Sequence, residues 1–253
     1  MLISDLFAQN SIDKTEIEIL LANLLGKDRS FIKSYPDYKL DTNITLKLNN
    51  AINRRENNEP LFYILGYKDF CGLRFKVDGR ALIPRPETEE LVAQVLSYIY
   101  AFPNRKKANR ISTAKLKIVD VGTGSGNIAI SLAKAVPFAK IYAIEKDLKA
   151  LDLAKENIAI HKVGKQVTLI KGELLKPIRE KVDIIVANLP YIPSSRLVSL
   201  PPEIRNWEPK IALDGGTDGL ELYRNLFPDA KRVLKPDGHL FHEFDGETFI
   251  QRF

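Results

Sequence analysis

An α/β fold with a parallel sheet, preceded by a small helical unit and a β-hairpin, is what the sequence predicts from three observations. From Leu116 onward, continuous apolar runs alternate with helical stretches, the rhythm of buried parallel strands joined by crossover helices. The amino-terminal region instead opens with two segments of helical periodicity. Between them lies a stretch rich in aromatic and β-branched residues and punctuated by Gly66, Gly72 and Gly79, as a hairpin requires. There is no internal repeat and no low-complexity tract. The expected organisation is a helical domain over residues 1–65, a hairpin linker over 66–86 and an α/β domain over 87–253.

Each element has its own justification. In DKTEIEILLANLLGKD, Ile17, Leu20, Leu21 and Leu24 recur at helical spacing and Gly26 offers a stop. Ile44, Leu48, Ala51, Ile52 and the stem of Arg55 repeat that pattern in the second segment. EPLFYILGYKDFCGLRFKVDGRALIPRP reads as the hairpin, closed by Pro84 and Pro86 on either side of Arg85. Pro86, Glu87, Glu89 and Glu90 then open a helix, because carboxylates favour its positive end. It runs to about Tyr100 and ends at Pro103. LKIVDVG, KIYAIEKD, QVTLIKG, VDIIVAN and GHLFHEF are the strands. NIAISLAKAV, LKALDLAKENIAIHK and the segment around DGLELYRNLFPDAKRVL are the helices between them.

Composition narrows the class of function. With 45% hydrophobic and 28% charged residues, the 253-residue chain is ordinary for a soluble globular protein. A single cysteine, Cys71, excludes an internal disulfide and fits a reducing compartment. The amino terminus lacks a basic region followed by a long apolar run, and no segment nears the roughly 18 apolar residues of a membrane span. A cytoplasmic protein without membrane contact is expected. The net charge of +6 gathers partly in NRKKANR, with Lys115 and Lys117 after it. Such a loop is either solvated or touches RNA, directly or through a partner that rides on RNA.

DVGTGSGNIAI places Gly122, Thr123, Gly124, Ser125 and Gly126 where the first parallel strand meets its helix. That is where open α/β sheets bind ligands. A dinucleotide fingerprint would carry a third glycine where Asn127 stands, and a P-loop would end in Gly-Lys-Ser/Thr. Glu145 closes the second strand 19 residues after Gly126, at the distance of a ribose acceptor. Glu173, with Leu174 after it, follows the third strand and is placed to accept from an adenine amino group. Three consecutive strand ends thus suit an adenosine without a pyrophosphate, and S-adenosyl-L-methionine is the candidate.

The fourth strand stops on Asn188, Leu189, Pro190 and Tyr191. Such residues make ordinary turns. They also make a grip for a planar –NH2, a poor nucleophile because its lone pair is delocalised. The Asn188 oxygen and a main-chain carbonyl near Leu189 or Pro190 can accept from both its N–H groups and aim the nitrogen at a methyl group. Pro190 brings no competing donor, and Tyr191 can pack over the planar group. His161, His239 and His242 are too scattered for a metal site, so no metal is expected.

With EPLFYILG, LIPRPETEELV, DVGTGSGNIAI and EPKIALDGGTDGLELY, the NLPY segment resembles the HemK/PrmC family of peptide chain release factor glutamine methyltransferases. The resemblance covers nearly the whole chain. It implies a Rossmann-like class I methyltransferase sheet, S-adenosyl-L-methionine as donor and S-adenosyl-L-homocysteine as product. It also implies a helical domain that docks a release factor and methylation of that factor's Gly-Gly-Gln glutamine on the side-chain nitrogen. Carried over, Gly122 to Gly126 and Glu145 bind the cofactor, Asn188 to Tyr191 hold the glutamine amide, and Arg85 and Thr88 join the substrate side. A monomer is expected. Two departures stand out. The family has N-P-P-Y where Leu189 stands here, a variant that resembles ribosomal RNA adenine dimethyltransferases and keeps N6-adenine methylation of RNA or DNA as an alternative. The chain also stops at GETFIQRF, so the last strands, including the antiparallel edge, are expected to be missing.

Overall fold

The computed structural model describes residues 1–9, 12–101 and 116–252. Pro103, the NRKKANR stretch and Lys115 lie outside the described residues; Lys117 lies within them and its ammonium pairs with Glu180. The chain divides into two compact units, Met1–Gly66 with Pro201–Trp207, and Tyr67–Leu200 with Glu208–Phe253.

The first unit holds α1 (Ile3–Gln9), α2 (Lys14–Leu25), α3 (Arg29–Ser34), α4 (Thr42–Glu56) and α5 (Leu61–Leu65). Asp13, Asp28 and Asp41 cap α2, α3 and α4 by accepting from Thr15, Phe31 and Ile44 main-chain N–H groups at 2.7–2.8 Å. Gly26 ends α2 in the left-handed conformation, φ 62°. Ile17, Leu20 and Leu21 of α2 are buried with Leu48, Ala51 and Ile52 of α4. The helix α5 replaces the start of the expected hairpin. Pro60 precedes it, Gly66 stops it at φ 78°, and Leu61 packs into the helical core. Tertiary burial outweighs the strand preference of its aromatic residues.

In the second unit the hairpin is β1 (Tyr67–Phe70) and β2 (Leu73–Lys76), followed by α6 (Glu87–Tyr100). Then come β3 (Lys117–Val121), α7 (Asn127–Ala135), β4 (Lys140–Glu145), α8 (Leu148–His161), β5 (Val167–Lys171) and β6 (Val182–Asn188). The short α9 (Pro202–Arg205) belongs to the first unit, where Glu203 ion-pairs with Arg55 at 2.7 Å. After it, α10 (Glu221–Val233), β7 (Leu234–Phe244) and β8 (Glu247–Arg252) complete the chain. The sheet order is β5-β4-β3-β6-β7-β8, parallel except for β8. An antiparallel edge is therefore present, contrary to expectation. Asp245 and Gly246, both at positive φ, turn the chain tightly, and Phe244 pairs with Glu247. Asp-Gly is a strong hairpin turn, and the sequence carried that signal.

Strand residues alternate between two cores, as a sheet covered on both faces demands. Ile118, Ile184, Val186 and Phe241 pack with Leu91 and Val95 of α6 and Leu132 of α7. Val119, Ile185, Ala187 and Leu240 pack with Tyr223, Leu226 and Val233 of α10. The fully buried Asn157 of α8 ties the hairpin to the loop after β3. Its nitrogen donates to the Lys76 and Ser125 carbonyls at 3.0 and 2.9 Å, and its oxygen accepts from the Lys76 N–H at 2.8 Å. Asn157→Ala strands three main-chain groups at once. It is expected to lower unfolding free energy by about 2–4 kcal/mol in urea titration, whereas a loss below roughly 0.5 kcal/mol contradicts this assignment.

Candidate active site

The loop after β3 bends on Gly122 and Gly124, at φ +72° and +55°. A Cβ on Gly122 would stand 3.0 Å from Leu189 Cδ2, so this glycine lets the β6 end close against the loop. Asp120, wholly buried, fixes the loop from beneath. Its Oδ2 accepts from the Thr123 hydroxyl at 2.6 Å and the Ala129 N–H at 3.1 Å. Its Oδ1 has no partner, and burial pushes the carboxyl pKa up to about 7.

At the end of β4, Glu145 accepts from three neighbouring main-chain N–H groups. Oε2 takes the Gly124 N–H at 3.0 Å, and Oε1 takes those of Lys146 and Asp147 at 2.8 and 2.9 Å. Beyond β5, Leu174 adopts φ +47° and buries its side chain, while exposed Glu173 pairs with Lys176, which holds its pKa low.

At the end of β6, the Asn188 amide nitrogen donates to Thr88 Oγ1 at 2.9 Å. Leu189 is buried, and its N–H donates to the Tyr223 hydroxyl at 3.2 Å. That hydroxyl has one proton and two carbonyls within reach, Glu243 and, at 3.4 Å, Leu189. The nearer Glu243 takes it, which leaves the Leu189 carbonyl available. The Tyr191 ring lies 5.6 Å from the Phe244 ring, half-buried, and desolvation raises its pKa.

Two sequence features that carried no mechanism acquire one. The Arg85 guanidinium pairs at 2.5 Å with Glu208, whose side chain is 2% exposed and also accepts from the Ile83 N–H at 3.3 Å. The glycines of LDGGTDG let a second segment press on the β6 loop: a Cβ on Gly215 would meet Tyr191 Cα at 2.7 Å, and one on Gly219 would overlap the Tyr191 carbonyl. Main-chain bonds tie the segments there: the Ile192 N–H donates to the Leu213 carbonyl at 3.1 Å, and the Gly215 N–H donates to the Ile192 carbonyl at 2.9 Å.

One cavity, about 960 Å³ with its mouth, gathers Arg85, Thr88, Gly122, Thr123, Gly124, Ser125, Glu145, Glu173, Leu174, Asn188, Leu189 and Pro190. Gly126 and Tyr191 are outside its lining; Gly126 caps α7 and Tyr191 packs against Phe244. Sequence reasoning missed Glu208, Tyr223 and Glu243. Glu208 and Tyr223 are the first and last residues of EPKIALDGGTDGLELY, and Glu243 stands near the end of the strand predicted from GHLFHEF, so each left a signal but no role. Cys71 lies outside the cavity, and burial pushes its thiol up to about 11, which removes the thiolate at neutral pH.

Residues 2–66 match the PrmC N-terminal domain and residues 107–198 the Methyltransferase small domain. The chain is 39% identical over 244 residues to a release factor glutamine methyltransferase of Geobacter sulfurreducens, covering 95% of this chain and 81% of that protein. A protein of the same name from Gloeobacter violaceus is 36% identical, covering 96% and 82%. Among solved structures, the hMettl16 catalytic domain in complex with MAT2A 3'UTR hairpin 1 aligns with a TM-score of 0.52 at 15% identity, over 88% of this chain and 76% of that one. That likeness is one of fold.

Asp120 yields a pH prediction. The folded protein holds its proton more tightly than the unfolded chain, so the associated stability is present below the ordinary value of 3.8 and is lost as pH rises through about 7. Asp120→Asn is neutral throughout. Its unfolding free energy, measured in urea against wild type, is expected to gain steadily across that window; a constant difference would contradict the buried, protonated carboxyl.

Proposed function

This chain belongs to the release factor glutamine methyltransferase family, and from that premise we propose that it methylates the side-chain amide nitrogen of the glutamine in a release factor's Gly-Gly-Gln motif. The observation that carries the proposal is the Asn188 amide, tied through its nitrogen to Thr88 at the wall of a glycine-lined cavity. S-adenosylmethionine, when bound, supplies an electrophilic methyl carbon on a sulfonium.

The chain's residues fit that cofactor. Positive φ at Gly122 and Gly124 lets the main chain approach it without a Cβ in the way. Glu145 has three of its roughly four acceptor directions taken by main-chain N–H groups, so it offers one to a ribose hydroxyl, or two once Gly124 lets go. Leu174 and Glu173 line the cavity where the adenine would sit, and Glu173 would reach its amino group only by leaving Lys176. On the substrate side, Asn188 Oδ1 and the Leu189 carbonyl accept the two N–H groups of the glutamine amide. They hold its nitrogen in line with the methyl carbon and stabilise the positive charge that grows there. Pro190 adds no donor, Tyr191 stiffens the wall behind, and Arg85, already paired with Glu208, shapes the rim.

The helical domain over 1–65 docks the factor in this reading, the hairpin linker spans 66–86, and the catalytic domain occupies 87–253. The enzyme acts as a cytoplasmic monomer. Leu189 does not call for an adenine substrate, because its side chain is buried against Gly122 and its contribution to the grip is a carbonyl that any residue supplies.

With labelled cofactor, a release factor carrying Gly-Gly-Gln is expected to take up label and its Gln→Ala variant none. Equal labelling of both, or label released by nuclease, would overturn the proposal. Asn188→Ala is expected to lower turnover by roughly 10²-fold or more while cofactor affinity, read by calorimetry, stays within about threefold. A collapse of cofactor binding would contradict its assigned role.

A further inference from the structure

Beside Asn188 the sheet places a carboxylate that the proposed reaction does not use. Glu243 pairs with Asn188 across β6 and β7, is 2% exposed, and keeps Oε2 buried without a partner. Burial raises its pKa. The Thr88 and Asn188 side chains, as hydrogen-bonding neighbours, pull it back, while Glu87 raises it and Arg85 lowers it. Thr88 is itself buried and takes the Asn188 amide proton at 2.9 Å. Asn188, Thr88 and Glu243 therefore form one cluster, with Thr88 and Asn188 at the cavity wall and Glu243 behind them.

A carboxamide has an acceptor end and a donor end of nearly the same shape, so sterics alone do not choose which end faces a ligand. Its neighbours choose. An ionised carboxylate only accepts; it attracts the Asn188 nitrogen and repels its oxygen. A hydroxyl could serve either end, but Thr88 is a hydrogen-bonding neighbour of Glu243, and a hydroxyl whose one proton goes to that carboxyl can only accept from Asn188. The carboxylate is also a poor choice for packing, because an apolar residue there would leave no acceptor unpaired. Its presence is explained by the site rather than by the fold.

We infer that Glu243, with Thr88 as relay, is the positioning residue that turns the Asn188 carboxamide so that oxygen faces the cavity, which selects an –NH2 substrate over a carboxylate. This inference deepens the proposed function and rests on it for the identity of the substrate. Where Glu243 is replaced by a residue without a carboxylate, the Asn188 amide is free to turn. Its nitrogen then faces the cavity and favours an acceptor, as in a factor whose Gly-Gly-Gln has been changed to Gly-Gly-Glu.

The test uses the full chain with Glu243→Gln, Glu243→Leu, Thr88→Val and Thr88→Ser. Glu243→Gln is expected to lower turnover about tenfold or more with cofactor affinity within about twofold, since it touches only the orientation of an acceptor. The thermal midpoint of Glu243→Leu is expected to hold or rise. The Gly-Gly-Glu factor, as a competitor, should gain on the Gly-Gly-Gln factor by about tenfold in both Glu243 variants. Thr88→Val should shift in the direction of Glu243→Gln, and Thr88→Ser, which keeps the hydroxyl, should lose less turnover than Thr88→Val. Independently of any factor, the Asn188 side-chain –NH2 signal, assigned by its loss in Asn188→Ala, should exchange slowly with water in wild type and faster in Glu243→Leu. Unchanged turnover and Gln/Glu preference in Glu243→Gln would overturn the inference. So would losses in turnover matched by equal losses in cofactor affinity and midpoint, which mark a structural role. If wild type labels no factor, the substrate reading falls, and the –NH2 exchange rate still decides for or against Glu243.

Discussion

Two neighbouring parallel strands, β6 and β7, end in register, and the chemistry of the cavity depends on that alignment. Asn188 stands opposite Glu243 because Ile184, Ile185, Val186 and Ala187 stand opposite His239, Leu240, Phe241 and His242. A slip of one residue would turn every side chain to the other face, moving residues shaped for one core into the other and separating Asn188 from Glu243. The register is held at its open end as well as along its length. The Tyr223 hydroxyl accepts from the Leu189 N–H and donates to the Glu243 carbonyl, bridging the two strands just where the ladder runs out. Burial raises the Tyr223 pKa, which keeps that proton in place at neutral pH.

Around this seam, polar groups that would destabilise an ordinary core are spent on geometry. Asp120 carries an unpaired oxygen so that its other oxygen can hold Thr123 and the first turn of α7. Glu208 is buried beneath a partly exposed Arg85, and removing that guanidinium would strand the carboxylate. Asn157 pairs both its N–H groups and its oxygen while linking hairpin and glycine loop. The positive φ angles of Gly122, Gly124 and Leu174 fall on the same rim. Sites that bind and react are where such local costs concentrate, because an apolar packing would offer a ligand nothing to grip.

Much of this was legible in the sequence, for physical reasons. Continuous apolar strands and helical periodicity report burial directly, so β3, β4, β5 and β6 and the helices between them follow from composition along the chain. Strand ends in a parallel sheet share one edge, and that is why Gly122, Glu145, Glu173 and Asn188 come to line one cavity despite their separation in sequence. Three things were less visible. The helix α5 is set by burial of Leu61 in the helical unit, a long-range contact that local preference cannot see. The antiparallel β8 was announced by Asp245-Gly246, a turn signal overlooked because the resemblance suggested a chain that stops short. The partners of Arg85, Asn188 and Leu189 are Glu208, Thr88 and Tyr223, each brought in by topology from a distant segment. Leu189 itself was misread as a hint of adenine chemistry, because its packing partner, Gly122, lies 67 residues away.

The central claim is that an asparagine oxygen and a neighbouring main-chain carbonyl hold a flat amide nitrogen at the carboxyl edge of the sheet. A crystal structure with S-adenosylhomocysteine and a peptide containing Gly-Gly-Gln tests it most directly. The account predicts the glutamine nitrogen within about 3.2 Å of both Asn188 Oδ1 and the Leu189 carbonyl, on the line to the cofactor sulfur. A glutamine side chain bound elsewhere, or an Asn188 whose nitrogen faces the peptide, would contradict it.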